Sequence, residues 1–100
     1  MTISKSVKDN VGTLSLIGRL DTVTSNQLSD ELENIFKEDL IKLVLDFAGI
    51  EYISSAGLRV LIVAQKKIAS LDRKMEIVNA SDSVKEIFRI TGFSNILTVI

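Results

Sequence analysis

Alternating apolar and polar residues open the chain and predict two strands. Residues 2–7 alternate weakly, and residues 11–17 alternate between the two sides of a second strand. Between them lies the polar segment Lys8-Asp9-Asn10, and Asp and Asn tolerate the backbone angles of tight turns. The pattern therefore predicts an antiparallel hairpin with one or both faces partly covered.

A helical stripe follows the hairpin. Its apolar residues recur at the spacing of one helix face and are Leu28, Leu32, Ile35 and Phe36. The segment Thr24-Ser25-Asn26-Gln27 fits a capping box, in which the Thr and Gln side chains satisfy amides at the helix start. We therefore expect a helix that begins near Thr24 and exposes its charged opposite face.

The middle of the chain predicts a strand–helix–strand unit. Residues 41–47 are almost all apolar, which is typical of a central strand buried on both faces. Residues 46–53 predict a turn, and a helix is expected from about Leu58 to Ser70. A short strand over residues 74–78 should then lie parallel to the first through a right-handed crossover.

The last third of the chain predicts a helix and a docked end. The apolar stripe of this helix is Val84, Ile87, Phe88 and Thr91. Gly92 is the expected left-handed residue that ends the helix, and residues 96–100 form a final strand or docked tail. Together the elements predict one α/β domain, residues 1–100, with a mixed sheet and an N-terminal antiparallel hairpin.

Composition excludes several classes of protein. The net charge is −1, from 12 basic and 13 acidic residues, whereas a nucleic-acid-binding domain normally carries a basic excess. The chain contains neither Cys nor His, which argues against disulfides and zinc and suits a reducing cytoplasm. It shows no signal pattern and no long uncharged apolar run. We expect a cytoplasmic protein with no cofactor, no metal and no membrane or nucleic-acid partner.

The small segment Ser54-Ser55-Ala56-Gly57, called here the serine corner, carries the candidate chemistry. It places two hydroxyls at a helix N-terminus, where unpaired amides and the helix dipole favour negative charge. One interpretation is a plain N-cap by Ser54 or Ser55. The other is a serine that receives a phosphoryl group. A serine nucleophile is disfavoured, because without His no Ser-His pair can form.

One residue of the corner and the helix after it favour contact with a partner. Gly57 lies in the first helical turn, where it costs about 1 kcal/mol relative to Ala, so we expect a close approach to its backbone. The helix that follows is apolar on almost every side, and Arg59 is the only charge in its first half. Either this helix is buried, or part of it is exposed and binds a partner.

Three segments resemble one family. Residues 45–61 resemble the signature of STAS domains, specifically of bacterial anti-sigma factor antagonists, and Gly18-Arg19-Leu20-Asp21 is similar to the Gly-x-Leu-Asp element of that family. Residues 84–93 look like its last helix and exit turn. The resemblance covers nearly the whole chain and implies helices packed mainly on one face of the sheet.

The resemblance also implies a site. It makes Ser55 the phosphoacceptor, with Ser54 as the alternative, because Ser54 stands where the common form has Asp. Ala56 stands where that form has a second hydroxyl. The partner-binding surface implied by the resemblance consists of Asp21, Ser54, Ser55, Ala56, Gly57, Leu58 and Arg59.

The implied function is a binding switch that is not an enzyme. The unmodified protein would bind an anti-sigma factor that is also a serine kinase, and so free a sigma factor. Phosphorylation of Ser55 would end that binding, and a PP2C-type phosphatase would reverse it. The alternative is a constitutive STAS subunit of a transporter or stress-sensing complex. An enzyme acting through Asp21, Asp46 and Ser55 lacks a suitable base.

Overall fold

One mixed four-stranded sheet organises the protein, which the computed structural model describes over residues 1–100. The strands lie in the order β1-β2-β3-β4 and three helices connect or follow them. The elements, in chain order, are β1 (Thr2–Lys8), β2 (Val11–Leu20), α1 (Thr24–Ile35), β3 (Lys42–Ile53), α2 (Ser55–Ser70), β4 (Lys74–Val78) and α3 (Asp82–Ile90).

The predicted N-terminal hairpin is confirmed. β1 and β2 pair antiparallel, from Thr2 opposite Ile17 to Lys8 opposite Val11. Asp9 and Asn10 join them with φ values of 53° and 62°. Positive φ at both central residues matches the twist of the flanking strands, so these two residues set the register of the hairpin.

The two crossovers place their helices on the same face of the sheet. β2, β3 and β4 are parallel neighbours, so α1 and α2 each connect one strand to the next in the same direction. Because such connections are right-handed, both helices cover one face. α3 joins them there, since its Phe88 ring lies 6.3 Å from the ring of Phe47 in the core. The predicted α/β fold with helices mainly on one face is confirmed.

The prediction that the central strand is buried on both faces was wrong. In β3, Leu43, Leu45 and Phe47 are fully buried, whereas Val44 and Asp46 between them are only half-buried. The physical reason is the topology, because both crossovers lie on one side and leave the other face of the sheet uncovered.

The predicted turn over residues 46–53 was also wrong, because β3 continues to Ile53. Its pairing with β2 skips one residue of β3 on two occasions, between Asp46 and Gly49 and between Ile50 and Tyr52. Such extra residues are β-bulges, which bend a strand and increase its twist. The strand therefore reaches the serine corner without an intervening loop.

Helix boundaries differ modestly from the predictions. The capping box at Thr24 does not form, since Gln27 Nε2 donates to the carbonyl of Met1 instead. α2 begins at Ser55 rather than near Leu58. At the end of α3, Gly92 has φ 78° as predicted.

The two edges of the sheet differ. Residues 96–100 dock on β4, where the amide of Ile77 donates to Thr98 O and the amide of Ile100 donates to Ile77 O, both at 2.9 Å. β1 forms the opposite edge, and its Lys5 and Lys8 are exposed. No helix is both long and apolar enough to cross a bilayer.

Candidate functional site

The bulged pairing of β2 and β3 brings the predicted site residues to the carboxyl ends of these two central strands. Leu20 and Ile53, the last residues of the two strands, are register partners. The chain therefore leaves both strands at neighbouring points, and Asp21 and Ser54 are the first residues beyond them. Carboxyl ends of parallel strands are where sites collect in folds of this kind.

Ser54 is the N-cap of α2. Its side-chain oxygen accepts from the amide of Gly57 at 3.3 Å, and its carbonyl accepts from the amide of Leu58 at 2.9 Å. Its own amide donates to the carbonyl of Leu20 at 2.8 Å. All its polar groups are engaged in holding the corner together.

Ser55 is exposed, and its side chain does not cap the helix. It is the first residue of α2, and no hydrogen bond within the chain uses its hydroxyl. The amides of Ser55 and Ala56 also have no acceptor in the chain, as expected for the first turn of a helix. An anion on the Ser55 hydroxyl would lie beside these donors and at the positive end of the helix dipole.

The close approach expected at Gly57 is made by the protein itself. A Cβ at this position would lie 2.7 Å from Leu20 Cγ and 3.0 Å from Leu20 O. The neighbouring Leu58 is also in the core and only 6% exposed. The packing of Gly57 and Leu58 thus fixes the position of the two serines.

The remaining residues of the predicted partner surface are accessible. Ser55 and Arg59 are exposed, and Asp21, Ser54 and Ala56 are half-buried. Arg59 forms no ion pair within the chain, so its charge is available to another molecule.

Asp21 organises the entry to α1. One of its carboxylate oxygens accepts from the amide of Val23 at 3.1 Å and from the amide of Thr24 at 3.0 Å, and the Thr24 hydroxyl lies 3.1 Å from the same oxygen. These hydrogen bonds, led by the one from the Thr24 amide, lower the pKa of Asp21 below its usual value of 3.8, and the nearby charge of Arg19 acts in the same direction.

The sequence did not reveal the contact between Arg19 and Tyr52 beside the corner. The guanidinium carbon of Arg19 lies 4.3 Å from the centre of the Tyr52 ring, a cation–π geometry. The two residues are register partners only because of the second bulge in β3. Tyr52 is 40% exposed, so an aromatic ring and a guanidinium flank the serine corner.

This arrangement is suited to binding and to accepting a phosphate, and it lacks the parts of a hydrolytic site. No base lies within hydrogen-bond distance of the Ser55 hydroxyl, and activation by such a base is how serine nucleophiles work. The structure contains no cluster of three or more Asp or Glu side chains arranged to hold a metal ion.

Comparisons with known proteins agree on the fold. A sequence profile described as the STAS domain matches residues 2–100. Among proteins named as anti-sigma factor antagonists, BtrV of Bordetella bronchiseptica is 32% identical over 84 residues, which cover 84% of this chain and 72% of BtrV.

Two solved structures have a similar fold. The crystal structure of an anti-sigma factor antagonist from Mycobacterium paratuberculosis has a TM-score of 0.89 at 21% identity, covering 98% of this chain and 83% of the other. The Bacillus cell fate determinant SpoIIAA in its phosphorylated form has a TM-score of 0.76 at 14% identity, covering 99% and 91% of the two chains.

Proposed function

The chain belongs to the STAS domain family, among its anti-sigma factor antagonists, and from this membership we propose that it is a binding switch controlled by phosphorylation of Ser55. In its unmodified form it binds an anti-sigma factor that has serine kinase activity, and so frees a sigma factor. The kinase transfers a phosphoryl group from ATP to the Ser55 hydroxyl, and a PP2C-type phosphatase removes it. The protein acts in the cytoplasm and is a substrate and partner, not an enzyme.

The observation that supports this proposal is the difference in hydrogen bonding between the two serines. Ser54 uses its amide, carbonyl and hydroxyl within the fold. Ser55 is exposed, and its hydroxyl has no partner in the chain. A kinase can therefore modify Ser55 without breaking the cap, whereas modification of Ser54 would remove it.

The effect of the phosphate is local in this proposal. It adds a charge of about −1.5 to −2 beside the unused amides of Ser55 and Ala56, so the fold accommodates it. In an interface centred on the corner, the same charge must be desolvated or must face carboxylates. A penalty of about 2–4 kcal/mol corresponds to roughly 30- to 1000-fold weaker binding.

The partner surface comprises the accessible part of the predicted set, Asp21, Ser54, Ser55, Ala56 and Arg59. Gly57 and Leu58 contribute indirectly, because their packing against β2 and the core fixes the position of the corner.

Two measurements test the proposal. Phosphopeptide mass spectrometry on the protein from growing and stressed host cells should find phosphate on Ser55, with an occupancy that depends on the condition. Binding of the purified Ser55→Asp variant to the host's anti-sigma factor kinase should be at least about 30-fold weaker than that of wild type. Ser83→Asp, at an exposed serine in the first turn of α3, is the matched control and should bind like wild type.

Three outcomes would contradict the proposal in different ways. Phosphate on Ser54 keeps a switch but moves its site. No phosphate under any condition favours a constitutive subunit of a transporter or stress-sensing assembly. A Ser55→Asp variant that binds as tightly as wild type refutes repulsion as the mechanism.

A further inference from the structure

A groove between α1 and α2 starts at Arg59, two residues beyond the serine corner. Its volume is about 230 Å³, and its floor is formed by the buried residues Leu32 and Ala64. The half-buried Phe36 and Val60 form its walls, and Val63 at its rim is 60% exposed. The charged and polar side chains that line the groove are Ser29, Glu33, Arg59 and Lys67.

The rim of the groove and the switch residue belong to one ridge of α2. Ser55, Arg59, Val63 and Lys67 follow each other at intervals of four residues and are all exposed. Residues at this spacing lie one above the other on a helix, and each step advances about 6 Å along its axis. On α2 the groove therefore begins at Arg59, about one helical turn beyond Ser55.

The charges along this ridge have no partners within the protein. Neither Arg59 nor Lys67 is within 4.0 Å of a carboxylate, and Glu33 on the α1 side of the groove forms no ion pair either. From the corner outward the ridge presents a cation, an exposed valine and a second cation. This order is complementary to an apolar side chain set between two carboxylates.

We propose that this groove receives a helix of the anti-sigma factor, whose apolar side chain packs on Val63 between carboxylates that reach Arg59 and Lys67. The proposal rests on the proposed function and identifies the chemistry of the partner. A helix fits because the groove between two packed helices accepts the side-chain ridge of a third. The contact with the corner and the contact with the groove are then parts of one interface.

Arg59 connects the two parts. Arg59 is one of the residues that line the groove, and it lies four residues beyond Ser55, where its side chain can reach a phosphate. When Ser55 is phosphorylated, the phosphate competes with the partner's carboxylate for this cation. Phosphorylation thus weakens the groove contact as well as the contact at the corner.

The test measures binding of the purified anti-sigma factor kinase to four variants. Val63→Asp and Lys67→Glu place negative charge in the groove and should each weaken binding by about tenfold or more. The matched controls are Ile90→Asp, at an aliphatic residue of α3 that is 69% exposed, and Lys66→Glu, at the exposed lysine next to Lys67 on α2 but outside the groove. Both controls should bind like wild type, and all four should melt as cooperatively as wild type.

A photo-crosslinker at Val63 tests the chemistry of the partner. The crosslink should map to an acidic helix of the purified kinase and should be lost with Ser55→Asp. Wild-type binding by both groove variants, with Ser55→Asp still weakened, would overturn the groove and leave the proposed function standing. A crosslink to a basic or extended segment would overturn the proposal that an acidic helix occupies the groove. If Ser55→Asp binds normally while the groove variants do not, the switch fails and the groove stands.

Discussion

The amide of Ser54 donates to the carbonyl of Leu20 at 2.8 Å, which ties the start of α2 to the end of β2. This bond joins segments that are far apart in the sequence at the point where Asp21 leaves the sheet. Ser55, the proposed switch residue, follows directly on this fixed residue, so the geometry around it is set by the sheet.

Replacing Ser54 should lower the free energy of unfolding more than replacing Ser55. Ser54→Ala removes the side-chain acceptor for the amide of Gly57 and should lower the free energy of unfolding by about 1 kcal/mol. Ser55→Ala removes a hydroxyl that bonds nothing in the chain and should change it by less than about 0.5 kcal/mol. Urea denaturation of the two variants measures both values, and equal costs would show that the cap is assigned to the wrong serine.

Gly57→Ala should destabilise the protein although Ala favours helices. The gain in helix propensity is about 1 kcal/mol, but the new Cβ would lie 2.7 Å from Leu20 Cγ and 3.0 Å from Leu20 O. Crowding of this kind costs about 1–3 kcal/mol, so we expect a net loss in thermal or urea unfolding. A more stable variant would mean that β2 and α2 can move apart at the corner.

Asp21 should make stability depend on pH in a defined window. Its folded-state pKa is lowered, chiefly by the hydrogen bond from the Thr24 amide, so its charged form stabilises the fold. That contribution is complete above the unfolded-state pKa and is lost as the pH falls through the lower folded-state value. Asp21→Asn should therefore be less stable than wild type near neutral pH, and the difference should shrink as the pH falls below the usual Asp pKa of 3.8. A difference that stays constant over this range would contradict the assignment.

Phosphorylated Ser55 should titrate differently when Arg59 is absent. The second pKa of a serine phosphate is about 6, and a guanidinium four residues later on the helix favours the doubly charged form. Arg59→Gln should thus raise the pKa of the phosphate relative to wild type in a phosphorus NMR titration. Lys66→Gln changes a charge elsewhere on α2 and should have a smaller effect.

Phe88 should contribute most of the free energy by which α3 packs on the core. It is fully buried, and its ring lies 6.3 Å from that of Phe47. Phe88→Ala should cost about 3–5 kcal/mol, a large part of the total stability of a domain. Ile90→Ala, at an exposed position of the same helix, should cost little, and a similar loss for both would contradict this packing.

The sequence predicted the elements whose residues follow a regular period. The hairpin was readable because the alternation on both sides of Asp9-Asn10 agrees with the turn residues, and α3 because Val84 and Phe88 lie one helical turn apart. The Gly92 terminus was readable because Gly is the residue type that adopts positive φ at low cost. In these places the local preference and the tertiary packing agree.

The second half of β3 was missed because its bulges change the period. The buried residues Phe47, Ile50 and Ile53 are three apart, whereas a regular strand buries every second residue. Gly49 also indicates a turn in isolation, yet a Cβ there would lie 2.8 Å from Ile17 Cγ1, so packing requires it. Because the sequence did not predict the bulges, it could not predict that Arg19 lies opposite Tyr52.

The sequence predicted where the candidate site lies, but it did not predict how the two serines differ. The corner and the family resemblance pointed to Ser54 and Ser55 together, and their separate roles needed the hydrogen bonds. The four-residue spacing from Ser55 to Lys67 is visible in the sequence, but the groove beside it depends on how α1 packs on α2.

The treatment of the two sheet edges bears on how the protein behaves in a crowded solution. An unpaired strand edge is a template for joining sheets from neighbouring molecules. At β4 the docked tail already uses the Ile77 amide and carbonyl. At β1, Lys8 is exposed, and Lys5 is exposed and pairs with Glu38 at 3.4 Å, so an approaching copy would bring like charges together. Both edge strands of the sheet thus carry features that disfavour pairing with the sheet of another copy.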